Sequence, residues 1–221
     1  MWTPFSARAA AAPPSPPQPP GAYPWQHLSA ARLRDGALIV LRPIHPDDRD
    51  RERRFLNGLS TQTRYRRLMA TRKLLPGELD RLVNIDHRRE LALVALADAG
   101  GVDAAPSAFA AVGRYVRDAA DPLQAEFAIV VADAWQGRGL GETLLRQLVA
   151  AARSDGLERL TGSTLSDNAP LLGLARKLGF QTWREPGDAT VTQLGRALRE
   201  GRSGLDRIDA GLLWAELEAR A

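Results

Sequence analysis

The sequence predicts an α/β fold with a mixed, largely antiparallel twisted sheet of about six to seven strands flanked by helices. Three apolar stretches of strand length follow one another, separated by turn-rich segments, between residues 91 and 133. A glycine-rich turn then leads into a long run with apolar residues at helical spacing. The 221 residues are 44% hydrophobic and 25% charged, which is typical of one folded domain with tails.

The two ends of the chain differ in composition from its middle. Residues 1–28 contain eight of the fifteen prolines, all before residue 25, and this density prevents helix and sheet, so we expect a disordered Pro/Ala-rich arm. The folded domain is predicted over residues 29–200. Residues 201–221 form a tail in which apolar side chains at helical spacing predict an amphipathic helix.

The first part of the domain reads as a strand followed by helices. Ala37 to Leu41 is a short apolar, β-branched run. Pro46 with Asp47 and Asp48 marks a helix start, because carboxylates favour the positive end of the helix dipole. Two further helical stretches follow, "FLNGLSTQTRYRRLMA" and "LPGELDRLVNI". The arginines of the first are interpreted as a solvated helix face rather than a binding patch: Arg64, Arg66 and Arg67.

The second part alternates strands and helices. The three successive strand candidates, "LALVALAD", "AFAAVGRYV" and "AEFAIVVAD", suggest an antiparallel meander. After the glycine turn, an apolar helix face runs as far as Gly156, which ends the helix. The strand "LERLTGSTL", the helix "NAPLLGLARKLGF" and the two final strands "QTWRE" and "TVTQL" complete the domain.

Composition excludes several classes of protein. The chain has no cysteine, so it has no disulfide, no thiolate nucleophile and no cysteine-ligated metal, and a cytoplasmic location is expected. The net charge of +4 is too small an excess to predict a nucleic-acid partner. No apolar run approaches the roughly 20 residues that span a bilayer, so no membrane partner is expected.

The stretch "WQGRGLGETLL", residues 135–145, is the strongest local signal. A strand, a glycine-rich turn and a helix start bring several backbone N–H groups and the positive helix end to one point, which is suited to a phosphate. The spacing of Gly137, Gly139 and Gly141 matches neither a Walker loop nor a Rossmann fingerprint. Taken alone, the turn is equally consistent with a flexible connection before a helix.

In its context, the turn resembles that of a known family. Gln136, Gly139 and Gly141 match the Q/R-x-x-G-x-G/A signature of the GNAT superfamily of N-acetyltransferases, whose turn holds the pyrophosphate of acetyl-CoA. "LRPIHPDD" and "NAPLLGLARKLGF" resemble other segments of that fold, and the resemblance covers roughly residues 37–194 in the right order. The closer resemblance is to the catalytic domain of bacterial Pat-type protein lysine acetyltransferases, through "LSTQTRYRRLM", "NIDHRRELALVAL" and "AEFAIVVADAWQGRGLG".

The resemblance implies a GNAT fold whose sheet is splayed at a CoA cleft, where two central parallel strands part. Acetyl-CoA is the implied acyl donor, and no metal is expected. Its pantetheine arm would pair with the backbone around Val130 and Val131, while the glycine turn would hold the pyrophosphate. The implied acetyl-CoA-binding residues are Val130, Val131, Gln136, Gly137, Arg138, Gly139, Leu140, Gly141 and Asn168.

The resemblance makes Glu126 the candidate catalytic residue, whereas the residues alone favour a carboxylate that faces solvent on a half-exposed strand. A lysine amine with a pKa of about 10.4 is almost entirely protonated at neutral pH, so a general base is useful before it attacks a thioester. Glu126 lies in the strand before the glycine turn, and its apolar neighbours would partly desolvate the carboxylate and strengthen it as a base. Asp167 is interpreted as a helix cap. Ala175 stands where many relatives have a tyrosine general acid. Asp86, His87 and Glu90 are candidates for the acceptor side, but turn and surface roles are favoured for each.

Three functions follow from these residues. The first is a protein lysine acetyltransferase with direct transfer to the amine, acting on partners such as metabolic enzymes, in a chain that can form a homodimer. The second is an acetyltransferase for a small-molecule amine. The third, of another class, is a non-catalytic acetyl-CoA-sensing module, which Glu126 disfavours because a sensor needs no base beside the thioester.

Overall fold

The computed structural model describes residues 23–68, 76–97 and 108–198. The strands in these ranges are β1 Ser29–Arg32, β2 Leu38–Pro43, β3 Glu90–Ala97, β4 Phe109–Arg117, β5 Gln124–Val131, β6 Arg159–Leu165, β7 Gln181–Glu185 and β8 Asp188–Ala197. The α-helices in the same ranges are α1 Arg49–Gly58, α2 Thr61–Leu68, α3 Pro76–Val83, α4 Leu140–Ser154 and α5 Ala169–Lys177.

All eight strands form one sheet in the order β1-β2-β3-β4-β5-β6-β8-β7. Neighbours are antiparallel except β5 and β6, which are parallel. The predicted mixed, largely antiparallel α/β sheet is confirmed. The predicted six to seven strands are too few, because β1 was not expected. β1 consists of small and polar residues on the sheet edge, without an apolar alternation, and its pairing with β2 identifies it.

Helices cover both faces of the sheet. Buried leucines of α4 pack on one face with Tyr115 and Phe127. On the opposite face, Phe55 of α1 and Val83 of α3 pack on a second core that includes Val130. Because β5 contributes to both cores, it lies at the centre of the fold and is held from both sides.

The boundary of the N-terminal arm needs correction. The arm was predicted over residues 1–28, but Trp25–His27 form a short 3₁₀ helix. The Tyr23 hydroxyl donates to the carbonyl of Pro43 at 2.5 Å, and Nε2 of His27 lies 3.3 Å from a carboxylate oxygen of Asp155. Residues 23–28 therefore belong to the domain. The rest of the predicted arm, and the predicted tail at 201–221, lie outside the described residues.

Among the helices of the described residues, none is both long enough and apolar enough to cross a membrane.

Candidate active site

A gap opens in the sheet between β5 and β6. These two strands pair only from Gln124 to Glu126, opposite Arg159 to Thr161. Farther along, β5 continues its pairing with β4 as far as Val131, whereas β6 continues with β8. The parallel strands therefore part after Glu126, as the predicted splay requires, and the edge of β5 facing β6 is left unpaired beyond that residue.

The hydrogen-bond phase of β5 determines which backbone groups face this gap. Toward β4, the Ala132 N–H donates to the Ala110 carbonyl and the Asp118 N–H to the Gln124 carbonyl, both at 2.9 Å. Antiparallel pairing alternates residue by residue, so the even-numbered residues of β5 direct their backbone groups to β4. The odd-numbered residues beyond Glu126 direct theirs into the gap: Phe127, Ile129 and Val131.

This phase separates the two valines that were expected to bind acetyl-CoA. Val131 has its backbone on the gap. The backbone of Val130 turns to β4, and its side chain is buried in the core beneath α1 and α3. Ile129, which the sequence reasoning missed, offers the N–H and carbonyl that Val130 cannot.

The glycine turn begins α4 at the open end of the gap. Gly137 and Gly139 have φ of 74° and 92°, a left-handed conformation that favours glycine. The first helical bond of α4 runs from the Thr143 N–H to the Gly139 carbonyl, so the N–H groups before it have no acceptor within the helix. A Cβ on Gly141 would lie 3.6 Å from the Val131 side chain, which places these amides against the end of β5.

Charged side chains surround the turn in ion pairs. Arg138 bonds to Asp35, and its guanidinium carbon lies 4.0 Å from the centre of the Trp135 ring. Across the turn, Nζ of Lys177 lies 2.6 Å from Glu142. Hydrogen bonds from Lys177 and then Arg146 lower the pKa of the Glu142 carboxyl to about 2. Arg138 can therefore contact a phosphate only by sharing or exchanging its aspartate partner.

Gln136 connects the turn to its surroundings. Its side-chain amide donates to the Val131 carbonyl and to the Thr63 hydroxyl, both at 3.1 Å. The Val131 carbonyl already accepts one hydrogen bond in this way, whereas the same residue's N–H is directed into the gap. These contacts give Gln136 a bracing position between β5 and α2 alongside its expected role in acetyl-CoA binding.

Asn168, expected to contact acetyl-CoA, caps α5. Its side-chain oxygen accepts from the Leu171 N–H at 3.5 Å, and its amide donates to the Thr164 hydroxyl at 2.9 Å. The cap was expected at Asp167, so that assignment is wrong by one residue. Ala175 is fully buried in the core beneath α4 and α5, so it offers no group to the gap.

Glu126 is half-buried at the closed end of the gap. It pairs with Val116 on β4 and with Thr161 on β6. Because side chains alternate along a strand, Glu126 shares a face with Val130, which packs beneath α1 and α3. Its carboxylate therefore lies on the opposite face of the sheet from α4.

The other acidic and histidine candidates are engaged elsewhere. Glu90 accepts a hydrogen bond of 2.6 Å from the buried Arg114. The His87 ring packs edge-on against Tyr23, with centroids 5.8 Å apart, and burial lowers the pKa of His87. These contacts agree with structural roles. Within the described ranges, no group of three or more His, Asp or Glu side chains is placed to hold a metal ion.

A small cleft lies beside the gap, and an arginine of α2 lines it. Its walls include Arg66, Ile129 and Ser163. Arg64 instead donates to carbonyls at the end of α1, among them that of Leu56 at 3.1 Å. Arg64 and Arg66 are half-buried, so the expected solvated face holds only in part for these two residues, and the side chain of Arg67 lies outside the described residues. Sequence periodicity could not reveal Arg66, because α2 is polar on most of its surface.

An open sheet with a gap beside a parallel strand pair, and a glycine turn with exposed helix N–H groups at its mouth, defines a CoA-dependent acyltransferase. Residues 69–180 match the family model described as Acetyltransferase (GNAT) family. The chain belongs to this family and is an acetyltransferase that uses acetyl-CoA as its acyl donor.

Individual relatives agree with this assignment. The chain is 34% identical over 159 residues to Acetyltransferase PA5475 of Pseudomonas aeruginosa, covering 72% of this chain and 83% of that one. It is 31% identical over 166 residues to Acetyltransferase Pat of Mycolicibacterium smegmatis, covering 74% of this chain but 47% of the relative, so it spans about half of that protein. The solved GNAT domain of S. lividans PAT superposes with a TM-score of 0.70 at 29% identity, covering 79% of this chain and 99% of the domain.

Proposed function

We propose that this acetyltransferase transfers the acetyl group directly to a protein lysine side chain, with Glu126 as the general base. The observation that carries the proposal is the position of Glu126, which is the last residue of β5 that pairs with β6 before the strands part. A thioester lying along the unpaired edge of β5 would end near this carboxylate.

The donor would be held mainly by backbone groups. The pyrophosphate would accept from N–H groups of Gly137, Gly139, Leu140 and Gly141, since a helix N-terminus favours an anion. The amides of the pantetheine arm would bond as an added strand to the gap-facing backbone of β5. Of the residues expected to bind acetyl-CoA, Gln136, Arg138 and Asn168 would then act chiefly by fixing the turn and α5.

The chemical step needs a neutral amine. At neutral pH only about one lysine in a few thousand is unprotonated. Glu126, directly or through a water molecule, would take the ammonium proton, and the amine nitrogen would attack the thioester carbonyl. The new C–N bond forms, the C–S bond breaks, and CoA leaves as a thiolate; the nitrogen loses its second proton as the amide forms, and water relays this proton to the thiolate. No covalent enzyme intermediate is required.

The chemical class of the acetyl acceptor is a separate part of the proposal. Resemblance to Pat supports a protein lysine, such as one on a metabolic enzyme. Arg66 in the cleft favours the alternative of a small amine that carries a carboxylate, because a guanidinium pairs well with that group. The cytoplasmic location and the homodimer expected from the sequence stay predictions.

Replacing Glu126 with glutamine tests the base, because the side chain keeps its size and loses its basicity. We expect turnover to fall roughly 10²- to 10⁴-fold while the Kd for acetyl-CoA is unchanged. The deficit should shrink as pH rises, since more acceptor amine is already neutral. Glu158→Gln, at a half-buried glutamate directly before β6, is the matched control and should keep full turnover.

The assay pairs steady-state kinetics with mass spectrometry of acetylated products, using a panel of proteins and small amines. Full turnover by Glu126→Gln, with chemistry rate-limiting, would exclude Glu126 as the base. Acetylation confined to small amines would replace the lysine proposal with its alternative. Tight acetyl-CoA binding without acetylation of any amine would favour the sensing module.

A further inference from the structure

Asp133 joins the glycine turn, the proposed acetyl-CoA site, to helix α2. It lies in the 3₁₀ helix Asp133–Trp135, between β5 and the glycine turn. Its carboxylate accepts from the Ser60 N–H at 2.9 Å and from the hydroxyls of Ser60 and Thr63 at 2.7 Å each. Burial raises the pKa of Asp133, but these hydrogen bonds outweigh burial and hold the pKa below its usual value. The carboxylate is therefore ionised at neutral pH and accepts bonds from the first turn of α2.

Thr63 forms hydrogen bonds with two residues of the segment that leads into the glycine turn. Its hydroxyl donates to Asp133 and accepts from the amide of Gln136 at 3.1 Å. The same Gln136 amide donates to the Val131 carbonyl on the gap edge of β5. A continuous set of hydrogen bonds thus runs from the β5 edge through the turn to α2.

Helix α2 presents Arg66 to the cleft. Arg66 lies three residues after Thr63, so the two side chains are neighbours on the helix surface. It lines the cleft together with Ser163 of β6 and Ile129 of β5. A small shift of α2 would move this guanidinium relative to both sides of the gap.

We propose that Asp133 is a positioning residue that couples acetyl-CoA binding at the glycine turn to the placement of α2, and hence of Arg66, on the acceptor side of the cleft. The inference rests on the part of the proposed function that places the donor at this turn. It needs neither Glu126 as base nor a particular acceptor. Binding of the donor fixes the turn, and Asp133 transmits that constraint to the start of α2.

The test uses the full chain with acetyl-CoA as the probe, and measures backbone hydrogen exchange across residues 60–68 with and without it. In the unaltered protein acetyl-CoA should slow exchange in this segment. Asp133→Asn should remove much of that slowing, because asparagine has a single acceptor oxygen and cannot accept from the Ser60 N–H and from both hydroxyls at once, as the carboxylate does. Thr63→Val should act in the same way, whereas Thr63→Ser keeps the hydroxyl and should restore the response.

Kinetics with an acceptor found in the acetylation panel give a second readout. Coupling between sites typically changes affinity at least about fivefold, so Asp133→Asn should raise the acceptor KM by that factor or more with a smaller change in kcat. Asp188→Asn is the matched control. Its carboxylate also accepts from a nearby threonine, Thr190, but it lies at the β7–β8 hairpin, and this variant should match the unaltered protein in both measurements.

Two results would overturn the coupling. One is acetyl-CoA binding that leaves exchange in residues 60–68 unchanged in the unaltered protein. The other is an Asp133→Asn variant that responds to acetyl-CoA as the unaltered protein does. If the unaltered protein did not bind acetyl-CoA at all, the donor site itself would be refuted. If acetyl-CoA slowed exchange as expected but Glu126→Gln had no effect on turnover, only the assignment of Glu126 as the base would be refuted.

Discussion

Asp48 anchors the start of α1 to β2 through a buried ion pair, and its removal should be costly. The side chain is 1% exposed. Two guanidinium nitrogens of Arg42 donate to its two oxygens at 2.6 and 2.7 Å, and the His45 N–H donates at 2.9 Å. Arg51 adds a further bond of 2.9 Å. We therefore predict that Asp48→Ala lowers the free energy of unfolding far more than substitutions of exposed loop residues.

The size of the stability loss depends on Arg42, which would remain largely buried without its carboxylate partner. Breaking a buried pair by removing one member costs about 3–5 kcal/mol. The Arg42 side chain is 18% exposed and also donates to the Pro43 carbonyl, so we expect the lower end, about 3 kcal/mol. For a chain of this size that corresponds to a fall in Tm of roughly 6–12 °C.

The adjacent Asp47 provides the control. Its side chain is 87% exposed, so Asp47→Ala should change stability by no more than about 0.5 kcal/mol. Both variants are compared by thermal and urea unfolding at pH 7. A Tm for Asp48→Ala equal to that of Asp47→Ala would refute the reasoning, since the pair would then contribute nothing beyond an exposed carboxylate.

The same pair predicts a pH dependence. Burial raises the pKa of Asp48, but hydrogen bonds from Arg42 and His45 outweigh it and leave the pKa below its usual value. A carboxyl whose folded pKa is depressed stabilises the fold above its unfolded pKa of about 3.9, and this stabilisation is lost as pH falls through the folded pKa. The difference in Tm between Asp48→Ala and the unaltered protein should be constant from about pH 5 to 8 and should become smaller below about pH 4.

Two further predictions concern the donor turn and the N-terminal segment. Gly139→Val forces a branched side chain to φ of 92°, at a cost of about 1–3 kcal/mol, and should remove most of the rise in Tm that acetyl-CoA produces in a thermal-shift assay. Gly173→Ala, in open space on α5, should keep that rise. Deletion of residues 1–20 should leave Tm and acetyl-CoA binding unchanged, whereas deletion of residues 1–28 also removes Tyr23, which bonds to β2, and should lower Tm by several degrees. Equal Tm values for the two deletions would show that the Tyr23 contact contributes nothing.

The spacing of apolar residues predicted most of the helices and strands, because the buried side chains of these elements follow that spacing closely. The apolar face of α4 is buried from Leu140 to Ala152, and the strand stretches of the meander all form strands. The sequence did not predict β1, because an edge strand of small residues needs no alternation of apolar and polar side chains. The parting of β5 from β6 came from family resemblance, since side-chain patterns do not encode where a ladder ends.

The contacts that build the site were less predictable, for physical reasons. Alternation along β5 fixes which side chains share a face, but the hydrogen-bond phase relative to β4 decides that Ile129 and Val131, rather than Val130, face the gap. The proposed role of Asp133 depends on its contact with Thr63 of α2, which lies 70 residues earlier in the sequence. Long-range pairing of polar side chains leaves no periodic signal, so only the folded arrangement reveals it.

A glycine lies at the point where β5 and β6 part. Gly162 is the first residue of β6 beyond the last pair with β5. A Cβ at this position would lie 2.8 Å from the Phe127 ring and 3.0 Å from the Phe127 carbonyl oxygen, so only glycine lets the two backbones come this close. β6 therefore passes close to the Phe127 backbone without continuing its pairing with β5, and farther along β6 follows β8 while β5 follows β4. Because the pairing ends directly after Glu126, this residue lies at the closed end of the gap, and the backbone beyond it is free to bind an added strand.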